Sequence, residues 1–215
     1  DRLLYCYPKK CWAPSSLRKV ELMFQRRALV ASLLEHRPEN MVVVSSLGNP
    51  TWDVASVGDH PLNFNFIGAM GQAGPFALGL AMAKPDKRVV LFAGDGELLM
   101  SLGVLATIAN QAPGNLAVVA LDNESYVETG NQPTATAGPT DLEAVARACG
   151  FVQTRSVVEE VPLDDIRDMV WGGEGPLFVN IKIVAEALPL VFPYSFDGAT
   201  AMNRFRGAVN DSKMG

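Results

Sequence analysis

Two segments of the 215-residue chain hold the side chains whose types and spacing could do chemistry. The first is Gly94-Asp95-Gly96, directly after the apolar run RVVLFA at residues 88–93. A carboxylate between two glycines has little steric cover and a backbone free to turn sharply. The amides that follow are expected at a helix N-terminus, where they can hold phosphate oxygens. A carboxylate beside a diphosphate repels it unless a cation lies between them. Magnesium fills that role, because it takes hard oxygen ligands and bridges carboxylates to phosphates. The second segment begins at Asn123, at the end of NLAVVAL (residues 115–121), far enough from Asp95 for one helix and one returning strand. Asn123 offers a second oxygen ligand, and the Ser125 carbonyl a third. Taken separately, a Gly-Asp-Gly turn and an Asn-containing loop are ordinary chain punctuation.

The elements that must position these groups are read from periodicity. Ser15 or Ser16 can cap a helix running to Glu35, with Leu17, Val20, Phe24, Leu29 and Leu33 in its apolar stripe and Pro38 beyond its end. The β-branched run at 41–45 (MVVVS) predicts a buried strand, followed by a Gly/Pro/Asn loop. Residues 71–83, dense in small side chains, suit a helix packed close to another backbone. A strand at 88–93, a Gly-rich turn, a helix over 98–111 and a strand at 115–121 follow, and then a long polar loop to Thr140. Thr140 with Glu143 forms a capping box opening a helix to Cys149, and a helix at 163–171 precedes a strand at 177–184. Throughout-apolar strands separated by helices predict an α/β fold, a three-layer doubly wound parallel sheet in one domain. The expected domain spans 1–215, with a loose N-terminal segment at 1–14 and a C-terminal tail at 185–215. Ligands in such sheets sit beyond the carboxyl ends of the strands, which directs attention to the turns after Ser45, Ala93 and Leu121.

Composition narrows the function classes. Hydrophobic residues make up 48% and charged residues 19%, with a net charge of −5, the balance of a packed globule without the basic face of a nucleic-acid binder. No stretch approaches a membrane span, and the N-terminus lacks a signal-peptide core. Cys6, Cys11 and Cys149 form no metal or disulfide pattern, which points to a reducing compartment and a cytoplasmic location.

Together, GDG, a helix and strand, and then Asn resemble the signature of thiamine diphosphate-dependent enzymes. The resemblance implies that Asp95, Asn123 and the Ser125 carbonyl hold Mg2+ on the cofactor diphosphate. Asp122 departs from the pattern, since many members have a first asparagine there. Upstream, IGAMG (residues 67–71) is similar to the family segment in which a glycine carbonyl, here that of Gly68, contacts the aminopyrimidine. Met70 then stands as the large apolar residue that bends the cofactor into a V. By the same resemblance Gly94, Gly96, Glu97 and Tyr126 belong to the cofactor-binding set, and Ser45, Ser46 and Gly48 approach the diphosphate. The likeness covers residues 41–184 and is strongest to the small subunit or C-terminal half of sulfopyruvate and phosphonopyruvate decarboxylases. The loop NESYVETGNQPT (123–134) and the tail MNRFRGAV (202–209), similar to a closing helix, add to it.

Family members also need a glutamate that drives the aminopyrimidine into its imino form, supplied by a separate pyrimidine-binding domain. This chain matches only the diphosphate-binding (PP-type) domain. The resemblance therefore implies a pyrimidine-binding (PYR-type) partner subunit in an α2β2-like assembly. The implied activity is decarboxylation of a 2-oxoacid. The alternatives are an acetolactate synthase-like carboligase subunit, a 2-oxoacid:ferredoxin oxidoreductase subunit, or a non-catalytic scaffold. Further candidates are Glu128, Thr129 and Gln132 in the loop after the metal ligands, for which solvated or turn-capping roles compete. His60 is a candidate proton-transfer group, though a histidine beside proline often lies at the surface. His36 suits a helix C-terminus, and Asp164 and Asp165 a helix first turn. Arg204 and Arg206 could bind an anionic substrate, against a solvated tail or a subunit contact.

Overall fold

A computed structural model describes residues 23–211, except 160 and 196. Six strands form one parallel sheet: β1 (Met41–Ser45), β2 (Asn63–Asn65), β3 (Arg88–Gly94), β4 (Leu116–Asp122), β7 (Gln153–Val157) and β8 (Leu177–Lys182). Their order is β2-β1-β3-β4-β8-β7, and a small antiparallel pair, β5 (Ser125–Tyr126) and β6 (Gln132–Pro133), lies outside the sheet. The chain winds outward from β1 to β2 and then returns to the other side of β1 with β3. That reversal leaves a crevice where strand order switches direction.

Strands β1, β3, β4 and β8 are apolar and buried along nearly their whole length because helices cover both faces. Val43, Val90, Val119 and Val179 face α1 (Arg26–Leu34), α2 (Asn49–Ser56) and α7 (Leu163–Gly172). Val44, Leu91, Val118 and Phe178 face α3 (Ala73–Ala83), α5 (Val104–Gln111) and α6 (Leu142–Cys149). The short helix α4 (Asp95–Met100) starts at the end of β3 and adds Leu98 to the second layer. A methyl group on Gly74 would lie 3.0 Å from Val104 Cγ1, so the small residues of α3 do allow the close approach their composition predicts. Among the described residues, no helix is long and apolar enough to cross a membrane.

Several local expectations are corrected. The part of the first helix expected at 15–22, like the loose segment 1–14, lies outside the described residues. The described helix begins only at Arg26, because Phe24 extends the sheet instead, forming a parallel bridge with Ile183. Strand β8 accordingly ends at Lys182, short of Val184. No separate Gly-rich turn follows β3, since Asp95 itself opens α4, and the helix expected over 98–111 is broken by a turn at 101–103. Asp141, not Thr140, caps α6 by accepting from the Ala144 amide at 3.1 Å. Glu143 turns away from the helix start to accept from the Thr154 hydroxyl and pair with Arg147. The expected C-terminal tail contains α8 (Gly198–Asp211), which packs Phe205 and Val209 on Val42 and Leu62.

Candidate active site

The ends of β1, β3 and β4 open into one cleft of roughly 170 Å³. Gly48 reaches it from the β1 side, Met70 from the turn before α3, residues 94–97 from the β3–α4 junction, and Asn123, Ser125 and Tyr126 from beyond β4. These are most of the residues the sequence singled out, gathered by the geometry that places strand ends along one edge of a parallel sheet.

Asp95 is 2% exposed. Thr134 Oγ1 donates to its Oδ2, and Thr136 Oγ1 lies 3.1 Å from the same oxygen. Thr136 Oγ1 also stands 2.8 Å from Asp122 Oδ1, so one threonine bridges two buried carboxylates. Burial, and after it the charge of Asp122, push the Asp95 carboxyl up to about 6, while the threonine hydroxyls act in the opposite direction. Among the described residues no lysine or arginine pairs with Asp95. The nearby ammonium, Lys182, donates instead to Asp122 Oδ2 and Glu124 Oε1, each at 2.8 Å. Burial would lower Lys182, but these two acids outweigh it and hold the ammonium above its ordinary value. Asn180 Nδ2 supplies a further hydrogen bond to Asp122 Oδ2. The acid that departs from the family pattern is thus neutralised by a lysine on the adjacent strand.

Beyond β4, Asn123 Oδ1 accepts from the Ser125 amide at 3.0 Å, and Glu124 adopts φ +60 between them. This compact turn brings the Asn123 side chain and Ser125 to the same cleft as Asp95. Carboxylate, amide and carbonyl oxygens are the donor set a hard divalent cation takes, and a buried acid lacking a cationic partner is what such an ion would satisfy. The residues present fit Mg2+ on a diphosphate.

Glu97 lines the cleft but spends both oxygens on backbone, accepting from the Gly71 amide at 2.7 Å and the Ala73 amide at 3.1 Å. It thereby fixes the turn that presents Met70, with Gly71 at φ +77. Tyr126 lies against Gly96, where an added Cβ would stand 2.3 Å from Cε1 of the ring. Glu128 Oε1 accepts from Trp52 Nε1 at 2.7 Å and covers Gly48. Thr129 and Gln132 hydrogen-bond each other, the turn-capping alternative for Gln132.

Other candidates stand apart from this cleft. Ser45 is fully buried, and its hydroxyl bonds to Asn65 and Thr51, so the strand end uses it internally and not toward a ligand. Ser46 is likewise buried and accepts from the Gly94 amide. Gly68 and His60 line a neighbouring cavity of roughly 300 Å³ beside α8, so Gly68 and Met70 open to different spaces. His60 Nδ1 accepts from the Leu62 amide, and burial, followed by Arg37, lowers the imidazole below its ordinary value despite Asp59. Arg204 forms a two-bond pair with Asp59 and lies over the Tyr194 ring, while Arg206 is exposed on α8. His36 is exposed after the end of α1, and Asp164 and Asp165 occupy the first turn of α7. Sequence reasoning missed Thr134, Thr136, Lys182 and Trp52, which act through tertiary contacts that no local pattern announces.

Residues 47–181 match the family model for the thiamine pyrophosphate enzyme, C-terminal TPP binding domain. The chain is 40% identical over 180 residues to the sulfopyruvate decarboxylase subunit beta of Methanothermobacter thermautotrophicus, covering 80% of this chain and 91% of that protein. It is 36% identical over 193 residues to the phosphonopyruvate decarboxylase of Streptomyces viridochromogenes, covering 88% of this chain but only 47% of that longer relative. The acetolactate synthase isozyme 2 large subunit of Escherichia coli is 27% identical over 184 residues, covering 77% of this chain and 33% of that one. Among solved structures, an enzyme from Mycobacterium smegmatis described as thiamin diphosphate-dependent shares the fold, with a TM-score of 0.62 at 20% identity, over 75% of this chain and 32% of that one.

Proposed function

The chain belongs to the thiamine pyrophosphate enzymes through their C-terminal cofactor-binding domain, and on that premise we propose that it is the diphosphate-binding subunit of a 2-oxoacid decarboxylase. The observation that supports this most is the single cleft in which Asp95, Asn123, Ser125 and Met70 converge, in a chain resembling decarboxylase subunits along most of its length. Asp95 Oδ, Asn123 Oδ1 and the Ser125 carbonyl would hold Mg2+ against the diphosphate, with Gly94 leaving room for it and Gly96 packed under the Tyr126 ring. Met70, held by Glu97 through Gly71, would shape the cofactor in the cleft, and Gly68, which opens to the adjoining cavity, would meet its aminopyrimidine only where the cofactor reaches past Met70. Thiamine diphosphate, when bound, supplies the electron sink for cleaving the bond between the carboxyl and keto carbons. What this chain contributes is position and the oxygen donors for the metal.

We read residues 1–215 as one PP-type domain that needs a PYR-type partner subunit for the activating glutamate, in an α2β2-like assembly. The relatives named as beta subunits support that reading. A sulfo- or phosphono-substituted pyruvate is the favoured substrate class, and three cysteines without a pairing pattern in the sequence suit the cytoplasm. Calorimetry with thiamine diphosphate and Mg2+ tests the cofactor assignment: the wild type should bind both, and Asp95→Ala should lose the Mg2+-dependent part. Absence of binding with the partner subunit present overturns it. Turnover by the isolated chain overturns the shared site. Carboligation is the second reading, favoured by the acetolactate synthase likeness, and product analysis with one oxoacid, with and without an aldehyde acceptor, separates the two.

A further inference from the structure

Thr134 and Thr136 arrive at the metal clamp from outside it. They follow β6, at the far end of the loop whose residues 126–129 line the cleft, and they are 5% and 4% exposed. Two hydroxyls there serve two carboxylates. Thr134 donates to Asp95 Oδ2, Thr136 can donate to Asp122 Oδ1 at 2.8 Å, and the hydroxyls lie 2.9 Å apart. With that assignment each hydroxyl proton has one carboxylate acceptor, and the two hydroxyl oxygens lie side by side without a proton between them. Asp122 is in turn fixed on its other oxygen by Asn180 and Lys182. The side chain of Asp95 is therefore oriented by the loop and the loop is pinned by Asp95. The backbone agrees, since the Thr134 amide donates to the Glu124 carbonyl at 3.0 Å, between the two other expected metal ligands.

We propose that Thr134 and Thr136 are positioning residues of the metal clamp, setting the orientation of Asp95 and tying Mg2+ uptake to the anchoring of residues 131–137. This rests on the reading of Asp95, Asn123 and Ser125 as metal ligands. Valine is nearly the shape of threonine but lacks the hydroxyl, so Thr134→Val and Thr136→Val remove the hydrogen bonds and leave the packing. Groups that orient a metal ligand commonly change metal affinity roughly 10–100-fold when lost.

The test is a Mg2+ titration of the full chain, with its partner subunit where one co-purifies, under saturating thiamine diphosphate. Each valine variant should bind Mg2+ at least about tenfold more weakly than wild type. Thr134→Ser and Thr136→Ser should restore most of the affinity, even where thermal stability stays reduced. Hydrogen exchange on the wild type adds a measurement that needs no variant: residues 131–137 should gain protection on loading with Mg2+ and thiamine diphosphate. Wild-type Mg2+ affinity in the valine variants, failure of serine to restore it, or unchanged exchange at 131–137 overturns the positioning role. If the wild type itself takes up neither cofactor nor metal, the functional reading falls first, and the two failures are distinguishable.

Discussion

The ring of Tyr126 occupies the space that a side chain at Gly96 would need, with Cε1 2.3 Å from the position of an added Cβ. The second glycine of Gly-Asp-Gly is therefore required by an aromatic neighbour from beyond β4. Its backbone dihedral is not the reason, since Gly96 lies within the first turn of α4. Gly96→Ala should displace Tyr126 from the cleft and destabilise the fold by about 1–3 kcal/mol, the usual penalty for overpacking. Cofactor calorimetry checks the first effect and thermal unfolding the second. The double variant Gly96→Ala/Tyr126→Ala should recover stability, and no recovery would place the strain elsewhere.

Glu97 is expected to behave as a backbone anchor. Glu97→Ala leaves the buried amides of Gly71 and Ala73 without their acceptor, and should destabilise the chain by about 1–3 kcal/mol. Cofactor affinity should fall with it, because Met70 loses its fixed turn. Glu97→Gln keeps one acceptor oxygen and should lie between wild type and alanine in both measurements. Wild-type unfolding for the alanine variant would show that the turn holds without the carboxylate.

The raised Asp95 carboxyl makes a signed prediction for the metal-free chain. Its native value near 6 lies above the ordinary 3.8, so between about pH 4 and 6 the native state holds a proton that the unfolded state releases. Stability from this group is full below about pH 4 and declines as pH rises to 6, by on the order of 2–3 kcal/mol. Denaturant unfolding in chelator across that range should show the decline in wild type and its absence in Asp95→Asn. Added Mg2+ should reverse it, since the ion binds the ionised carboxylate and releases the proton. A difference between the two proteins that stays flat with pH would count against the assignment.

Trp52 holds the loop at its other end. Trp52→Phe keeps the ring but removes the bond to Glu128 Oε1, and should raise hydrogen exchange at 127–131 with a stability loss of about 1 kcal/mol. Unchanged exchange there would mean that the Thr134 and Thr136 contacts alone secure the loop.

What was legible in the sequence follows from how each element is stabilised. Strands β1, β3, β4 and β8 are buried on both faces, so their composition is mostly apolar and announces them. Strands β2 (NFN) and β7 (QTRSV) are the sheet edges, with polar residues and little periodicity, so neither stands out as a strand in the sequence. Helix α2 was hidden by Gly48, Asn49 and Pro50, which read as a turn. In the structure Gly48 takes φ +87 and Pro50 sits in the first helical turn, where proline is well tolerated. The cleft itself was foreseeable, because Asp95 and Asn123 stand at the ends of adjacent strands. Ser45 misled for the same reason: strand ends point to the crevice, but this hydroxyl faces Asn65 and Thr51. Thr134 and Thr136 could not be read, since nothing in NQPTAT specifies which carboxylate a loop hydroxyl will meet.

The pairing of Asp122 with Lys182 also restricts the order in which this sequence can change. Asparagine at 122 leaves Lys182 its partner Glu124, so that step alone is tolerable. Removing Lys182 first leaves a carboxylate that is 1% exposed beside Asp95 with no countercharge, a step that buried charges resist strongly. The two positions are thus epistatic, and a route from this chain to a neutral site passes through residue 122 before it reaches residue 182.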